Sequence, residues 1–140
     1  MIAFFDTSAL VALVIAELGS ARAAAAWRAA TRVHVIAPAA AEAHAALAAA
    51  HRLGRLDVGA LATARSTVDR LLEECVCRIV DLDYATAAGA VAVEHQLRGY
   101  DAMQCLGALE LEAAVGVAGD RALLDAWSRR GLATIDILAS

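Results

Sequence analysis

Short apolar runs alternate along the chain with longer stretches of helical character, a pattern that predicts an α/β domain built on a parallel sheet. The first run, Ile2 to Phe5, reads as a strand that ends on Asp6. Thr7 or Ser8 can cap the helix that follows through Val14 and stops near Gly19. A second helix spans Ser20 to Ala30, and Val33 to Ile36 is the second strand. Pro38 suits the first position of the next helix, which carries Glu42 and ends at Gly54. Asp57 caps a helix to about Glu74, Cys77 to Val80 is a third strand, and Asp83 opens a helix to Leu97. Asp101 begins a helix to about Glu112 after a Gly99-Tyr100 turn. Ala114 to Ala118 forms a fourth strand ending at Gly119-Asp120, a helix runs to Arg130, and Ala133 to Ile137 gives an edge strand. Pairs at i, i+4 (Arg65/Asp69, Arg70/Glu74, Glu94/Arg98 and Asp125/Arg129) mark solvated helix faces. No repeat or linker interrupts the pattern, so residues 1–140 read as one domain.

Composition changes the picture in three ways. About a quarter of the chain is alanine, which favours helix but gives little burial per side chain, so helices should pack closely. No uncharged run approaches the ~20 residues a membrane span needs, and Asp6 interrupts the first apolar run, so neither a span nor a signal peptide is expected. Three cysteines, an odd number, fit a reducing cytoplasm rather than a disulfide framework, and core packing is the expected role of all three. Cys75 and Cys77 have no second pair with which to build a zinc site.

The twelve basic residues are all arginine. Without lysine there can be no Walker-type phosphate loop, no pyridoxal Schiff base and no receiver-domain chemistry of the kind that depends on a lysine. A dehalogenase-type phosphotransferase also places an aspartate after its first strand, but it wants a second acid two residues on, where this chain has Ser8. The net charge of −4 is acidic for a nucleic-acid binder, yet a metal site concentrates acid locally while arginines line a separate groove.

Ligands of open parallel sheets gather beyond the carboxyl ends of the strands. Asp6 and Asp120 each follow a strand, Asp101 follows a Gly-Tyr turn, and Glu42 lies in the first turns after the second strand. Glu42 has only Pro38, Ala39, Ala45 and Ala46 at i±3 and i±4, so no cation of its own helix can pair with it. Taken singly, each acid reads as a cap or a solvated side chain; together they can converge on one end of the sheet. Clustered carboxylates suit a Mg²⁺ or Mn²⁺ site, where the ion offsets the charge that builds up in phosphodiester hydrolysis. The four histidines, His34, His44, His51 and His95, show no metal-ligand spacing and read as packing or surface residues.

The ordered motifs resemble a known family. Phe5-Asp6-Thr7-Ser8-Ala9-Leu10-Val11, followed by Glu17-Leu18-Gly19-Ser20, resembles the opening of PIN-domain ribonucleases of the VapC toxin type. Ala41-Glu42-Ala43-His44, Tyr100-Asp101-Ala102-Met103-Gln104 and Val117-Ala118-Gly119-Asp120-Arg121 are similar to the second, third and closing blocks, in order along the chain. The resemblance implies a three-layer α/β/α fold whose central, mostly parallel sheet has four to five strands. It further implies a cytoplasmic, Mg²⁺-dependent endoribonuclease that dimerises and is restrained by a small antitoxin protein. Asp6 and Asp101 would hold the metal directly, Glu42 and Asp120 would complete the acidic pocket or act through water, and Ser8 would support Asp6. Relatives often have Thr or Ser where this chain has Ala118 and His where it has Gln104. A domain of this shape that has lost cleavage and acts as a binding module is the alternative.

Overall fold

The computed structural model describes residues 1–112 and 114–140. Five strands, β1 (Ile2–Phe5), β2 (Arg32–Ile36), β3 (Val76–Arg78), β4 (Val115–Ala118) and β5 (Ala133–Asp136), form one sheet in the order β3-β2-β1-β4-β5. Every neighbouring pair is parallel, in keeping with the expected sheet. Seven helices connect them: α1 (Thr7–Val14), α2 (Ser20–Ala29), α3 (Ala39–Arg52), α4 (Val58–Glu74), α5 (Leu82–His95), α6 (Gly99–Leu109) and α7 (Arg121–Arg129).

Successive residues of a strand point to opposite faces, and β1 uses this to anchor both helical layers. Phe4 meets Trp127 of α7 edge-on at 6.0 Å, while Phe5 meets Trp27 of α2 edge-on at 5.6 Å. The sheet is therefore covered on both sides, giving the three-layer α/β/α arrangement. Small residues let the layers close: a Cβ on Gly107 of α6 would lie 2.7 Å from Phe4 Cζ, and one on Gly116 of β4 would lie 2.8 Å from Trp127 Cδ2. A second apolar cluster, with Val11, Ile15, Leu47 and Val68 at its centre, ties α1 to α3 and α4 away from the sheet. Among the described residues no helix is long and apolar enough to cross a membrane.

Several local expectations shift. The cap of α5 is Asp81, whose carboxylate accepts the Tyr84 amide at 2.8 Å, so Asp83 falls inside the first turn. Asp101 does not open α6; it is the third residue of that helix, and Arg98 occupies the cap position. Tertiary partners stand in for two of the expected i, i+4 pairs: Asp69 joins His44 of α3 at 2.7 Å, and Glu94 joins Arg130 beyond α7 at 3.2 Å. Within α7, Asp125 approaches Arg121 one turn earlier rather than Arg129 one turn later. Cys105 is buried as expected, but Cys77 lies exposed on β3.

Candidate active site

The strand order reverses beside β1: the chain builds outward through β2 and β3, then returns to place β4 on the other side. Such a switch point leaves a crevice at the carboxyl ends of the two adjoining strands, because their connections leave in opposite directions. Asp6 and Asp120, the residues that follow β1 and β4, flank this crevice. A cavity of about 580 Å³ opens there, lined by all four sequence-selected acids together with Ser8.

Asp6 is held by its own helix start. As the N-cap of α1 it accepts the Ser8 amide at 3.2 Å and the Ser8 hydroxyl at 2.7 Å, both on Oδ2. Its backbone amide donates to Val117 O of β4 at 3.0 Å, carrying the sheet pairing one residue past the strand. Ser8 Oγ also accepts the Gly119 amide at 2.9 Å, so one hydroxyl ties the first acidic segment to the last. Position 118, where relatives often have Thr or Ser, is alanine here, and Ser8 connects to the neighbouring Gly119. Asp120 caps α7, with Oδ1 accepting the Leu123 amide at 3.0 Å. Capping and a place in the cavity are therefore compatible for both aspartates.

Glu42 projects from the first turn of α3 as an exposed side chain that lines the cavity. Asp101 is partly buried and receives the Arg98 guanidinium, Nε to Oδ2, at 3.2 Å. Two further lining residues escaped the sequence reading as site residues. Glu17, which follows α1, is a fifth carboxylate of the cavity and pairs with Arg55 at 3.4 Å. Tyr100 puts a phenol beside Asp101, in a position that its place in the third block signalled.

Behind the cavity Tyr100 belongs to a closed polar triangle. Gln104 Nε2 donates to the Tyr100 hydroxyl at 2.9 Å and to Thr7 Oγ1 at 3.1 Å, and the two hydroxyls lie 2.9 Å apart. Gln104 is fully buried and does not line the cavity, so where relatives often carry His this chain has a structural tie between α1 and α6.

The electrostatics follow from burial and charge. Burial is the main cause that pushes the Asp6 carboxyl up from 3.8 to about 6. Hydrogen bonds from Ser8 and Thr7 pull the other way, and the nearby Asp120 charge adds to the rise. Burial likewise pushes the Tyr100 phenol well above its ordinary range, with the charges of Glu42 and Asp6 adding to it, so Tyr100 stays protonated at neutral pH. Five carboxylates face one guanidinium around the cavity, an imbalance that favours a cation.

The donors are all carboxylate and hydroxyl oxygens, the type that Mg²⁺ selects. Among the described residues no three acidic, His or Cys side chains are grouped closely enough to cage an ion unaided. Both Ser8 hydrogen bonds fall on Asp6 Oδ2, which leaves Oδ1 for such an ion.

Comparison with known proteins agrees with this geometry. A family model described as the PIN domain matches residues 3–129. Six chains of solved structures match. One of them, the crystal structure of PAE2754 from Pyrobaculum aerophilum, superposes with a TM-score of 0.70 at 28% identity, covering 97% of this chain and 85% of that one. No curated protein sequence matches at a significant level.

Proposed function

The chain belongs to the PIN-domain family, generally a nuclease fold, and on that premise we propose that it is a Mg²⁺-dependent endoribonuclease acting as the toxin of a VapBC-like pair. The observation that carries the nuclease reading is the convergence of Asp6, Glu42, Asp101 and Asp120 on one cavity at the switch point of the sheet. Mn²⁺ fits the same oxygen donors.

In this reading Asp6 and Asp101 would hold the ion, while Glu42 and Asp120 would act through water. The ion supplies charge neutralisation at an anionic phosphodiester and makes water a better nucleophile. The chain's own contribution is placement. Ser8 fixes the Asp6 carboxylate against the β4 end, and the α7 cap fixes Asp120. Glu42 has an exposed carboxylate on an alanine-lined helix and is the acid best placed to orient water or take its proton. Glu42 is exposed to solvent at the cavity. The toxin assignment, the homodimer, the cytoplasmic setting and the small antitoxin partner rest on the ordered motifs and their resemblance to the VapC type.

The test is direct. Purified protein, free of any antitoxin, is incubated with structured RNAs in Mg²⁺, with and without EDTA, beside Asp6→Asn and Asp101→Asn. Cleavage by the wild type that EDTA and both substitutions abolish is the expected result. Persistence of cleavage in the variants would identify a contaminant, and wild-type binding without cleavage would favour a silent binding module. Growth arrest on expression, relieved by a co-expressed antitoxin, tests the toxin role.

A further inference from the structure

Among the described residues, Arg98 is the only arginine that lines the acidic cavity. Its guanidinium rests on Asp101 although its side chain is 88% exposed, whereas that of Asp101 is only 20% exposed. The sequence spacing offers Arg98 a different partner, Glu94, but α5 ends at His95 with Gln96 in a left-handed conformation, so Arg98 lies off that helix, and Glu94 meets Arg130 at 3.2 Å. Other arginines have partners away from Asp101: Arg22 meets the Asp136 carbonyl, Arg65 His44, Arg78 Glu110, Arg121 Asp136 and Arg130 Glu94, while Arg55 pairs with Glu17, which also lines the cavity. Arg98 alone combines a position on the cavity wall, a mobile-length side chain in solvent and a bond to a carboxylate selected as a metal ligand.

From this arrangement we infer that Arg98 is an exchangeable counter-ion: it neutralises Asp101 while the metal is absent, and transfers to a phosphate of bound RNA when the metal takes Asp101. The inference rests on the nuclease reading and deepens it by naming the residue that receives the substrate backbone. The physical reasoning is short. A guanidinium and a divalent cation compete for the same carboxylate, so binding of one weakens the other. An exposed ion pair is weak and easily given up. Once released, the exposed guanidinium stands on the cavity wall, free to meet the phosphodiester that the site would receive. The planar fork of its guanidinium can grip two phosphate oxygens at once. The α6 cap position gives it reach without disturbing the helix, since Arg98 makes no side-chain cap hydrogen bond.

Two measurements test both halves of the exchange on the intact protein. Calorimetric titration with MgCl₂ should show Arg98→Ala binding the ion more tightly, by about two- to fivefold, the range set by an exposed ion pair. Anisotropy titration of a labelled single-stranded RNA in Ca²⁺, repeated across a salt series, should show weaker binding by the same variant. Its slope of log affinity against log salt should be shallower by about 0.7, the signature of one lost phosphate contact to a single strand. Arg22→Ala, which removes an equal charge from a residue bonded to the β5 end, should leave both readings at wild-type values. Arg98→Lys should restore much of the salt slope because it keeps the charge. Unchanged or weaker Mg²⁺ binding by Arg98→Ala overturns the exchange, and an unchanged salt slope overturns the phosphate contact. If the wild type cleaves RNA with Mg²⁺ while Arg98→Ala matches it in both readings, only the role of Arg98 fails. If the wild type binds no divalent ion, the nuclease reading fails and the role of Arg98 with it.

Discussion

The Ser8 hydroxyl donates to Asp6 Oδ2 at 2.7 Å while its oxygen accepts the Gly119 amide at 2.9 Å. One small side chain thus fixes the rotamer of the most buried acid and the distance between the β1 and β4 ends. Ser8→Ala should cost about 1 kcal/mol of stability, the usual worth of such a hydrogen bond. It should also raise the Asp6 carboxyl further, because the Ser8 bonds are what hold it down. Urea unfolding reads the first effect, and the pH dependence of Mg²⁺ binding reads the second. Ser8→Thr, which keeps the hydroxyl, should fall between the two proteins.

Asp6 makes stability depend on pH in an unusual direction for a carboxylate. Its folded value, about 6, lies above the ordinary 3.8, so the folded protein holds this proton more tightly than the unfolded chain does. Ionising Asp6 therefore costs stability: nothing below pH 3.8, increasingly above it, and the full amount above about pH 6. The full amount is about 3 kcal/mol for a shift of this size. Asp6→Asn should be more stable than wild type at pH 7 and lose that advantage as the pH falls towards 4. Urea midpoints at several pH values check this. An equal pH dependence in both proteins would remove Asp6 as its source.

Divalent metal should act on the same charge. Millimolar MgCl₂ or MnCl₂ is expected to raise the melting temperature at pH 7.5 and to do so much less at pH 5, where the proton competes for Asp6. EDTA should reverse the rise. No response in Asp6→Asn, with a normal fold by circular dichroism, locates the effect at this carboxylate.

Gln104 is expected to matter for folding more than its polar character suggests. Gln104→Leu removes the donor to both Thr7 and Tyr100 from a fully buried position. The two hydroxyls keep each other, so the loss should be about 1–2 kcal/mol rather than that of an isolated buried polar group. A double-mutant cycle with Tyr100→Phe should show coupling above about 0.5 kcal/mol, as contacting residues do. Additive losses would mean that the triangle does not act as a unit.

Gly107→Ala separates helix propensity from packing. Alanine inside a helix is ordinarily better than glycine by up to about 1 kcal/mol. Here the added methyl would meet Phe4 Cζ at 2.7 Å and Ile36 Cγ2 at 3.1 Å. Overpacking of this kind costs about 1–3 kcal/mol, so the substitution should destabilise the protein on balance.

The sequence revealed most where local chemistry decides. The switch from apolar strand to acid at Phe5-Asp6 and Gly119-Asp120 marked both walls of the crevice, and the positions of Glu42 and Asp101 after their turns marked the rest. What stayed hidden depends on distant partners. Nothing local favours Asp81 over Asp83 as a cap, and the structure decides it by where Tyr84 must enter the core. Glu94 and Arg98 have the spacing of a pair, but α5 stops at His95 and turns at the left-handed Gln96, so the two are not on one helix face, and Glu94 meets Arg130. Glu17 and Gln104 are similar cases. One becomes a cavity wall and the other a buried tie only once α1 and α6 lie against the same strand ends.

Strand β1 precedes the other four strands in the chain and lies at the centre of the sheet, yet one of its two neighbours, β4, begins at Val115. During synthesis the Asp6 carboxylate therefore emerges long before the Gly119 amide and Asp120 that complete its surroundings. A ribosome-bound fragment that ends before Val115 lacks the β4 wall, so the crevice and the pair of aspartates that flank it are completed only after nearly the whole domain has been translated.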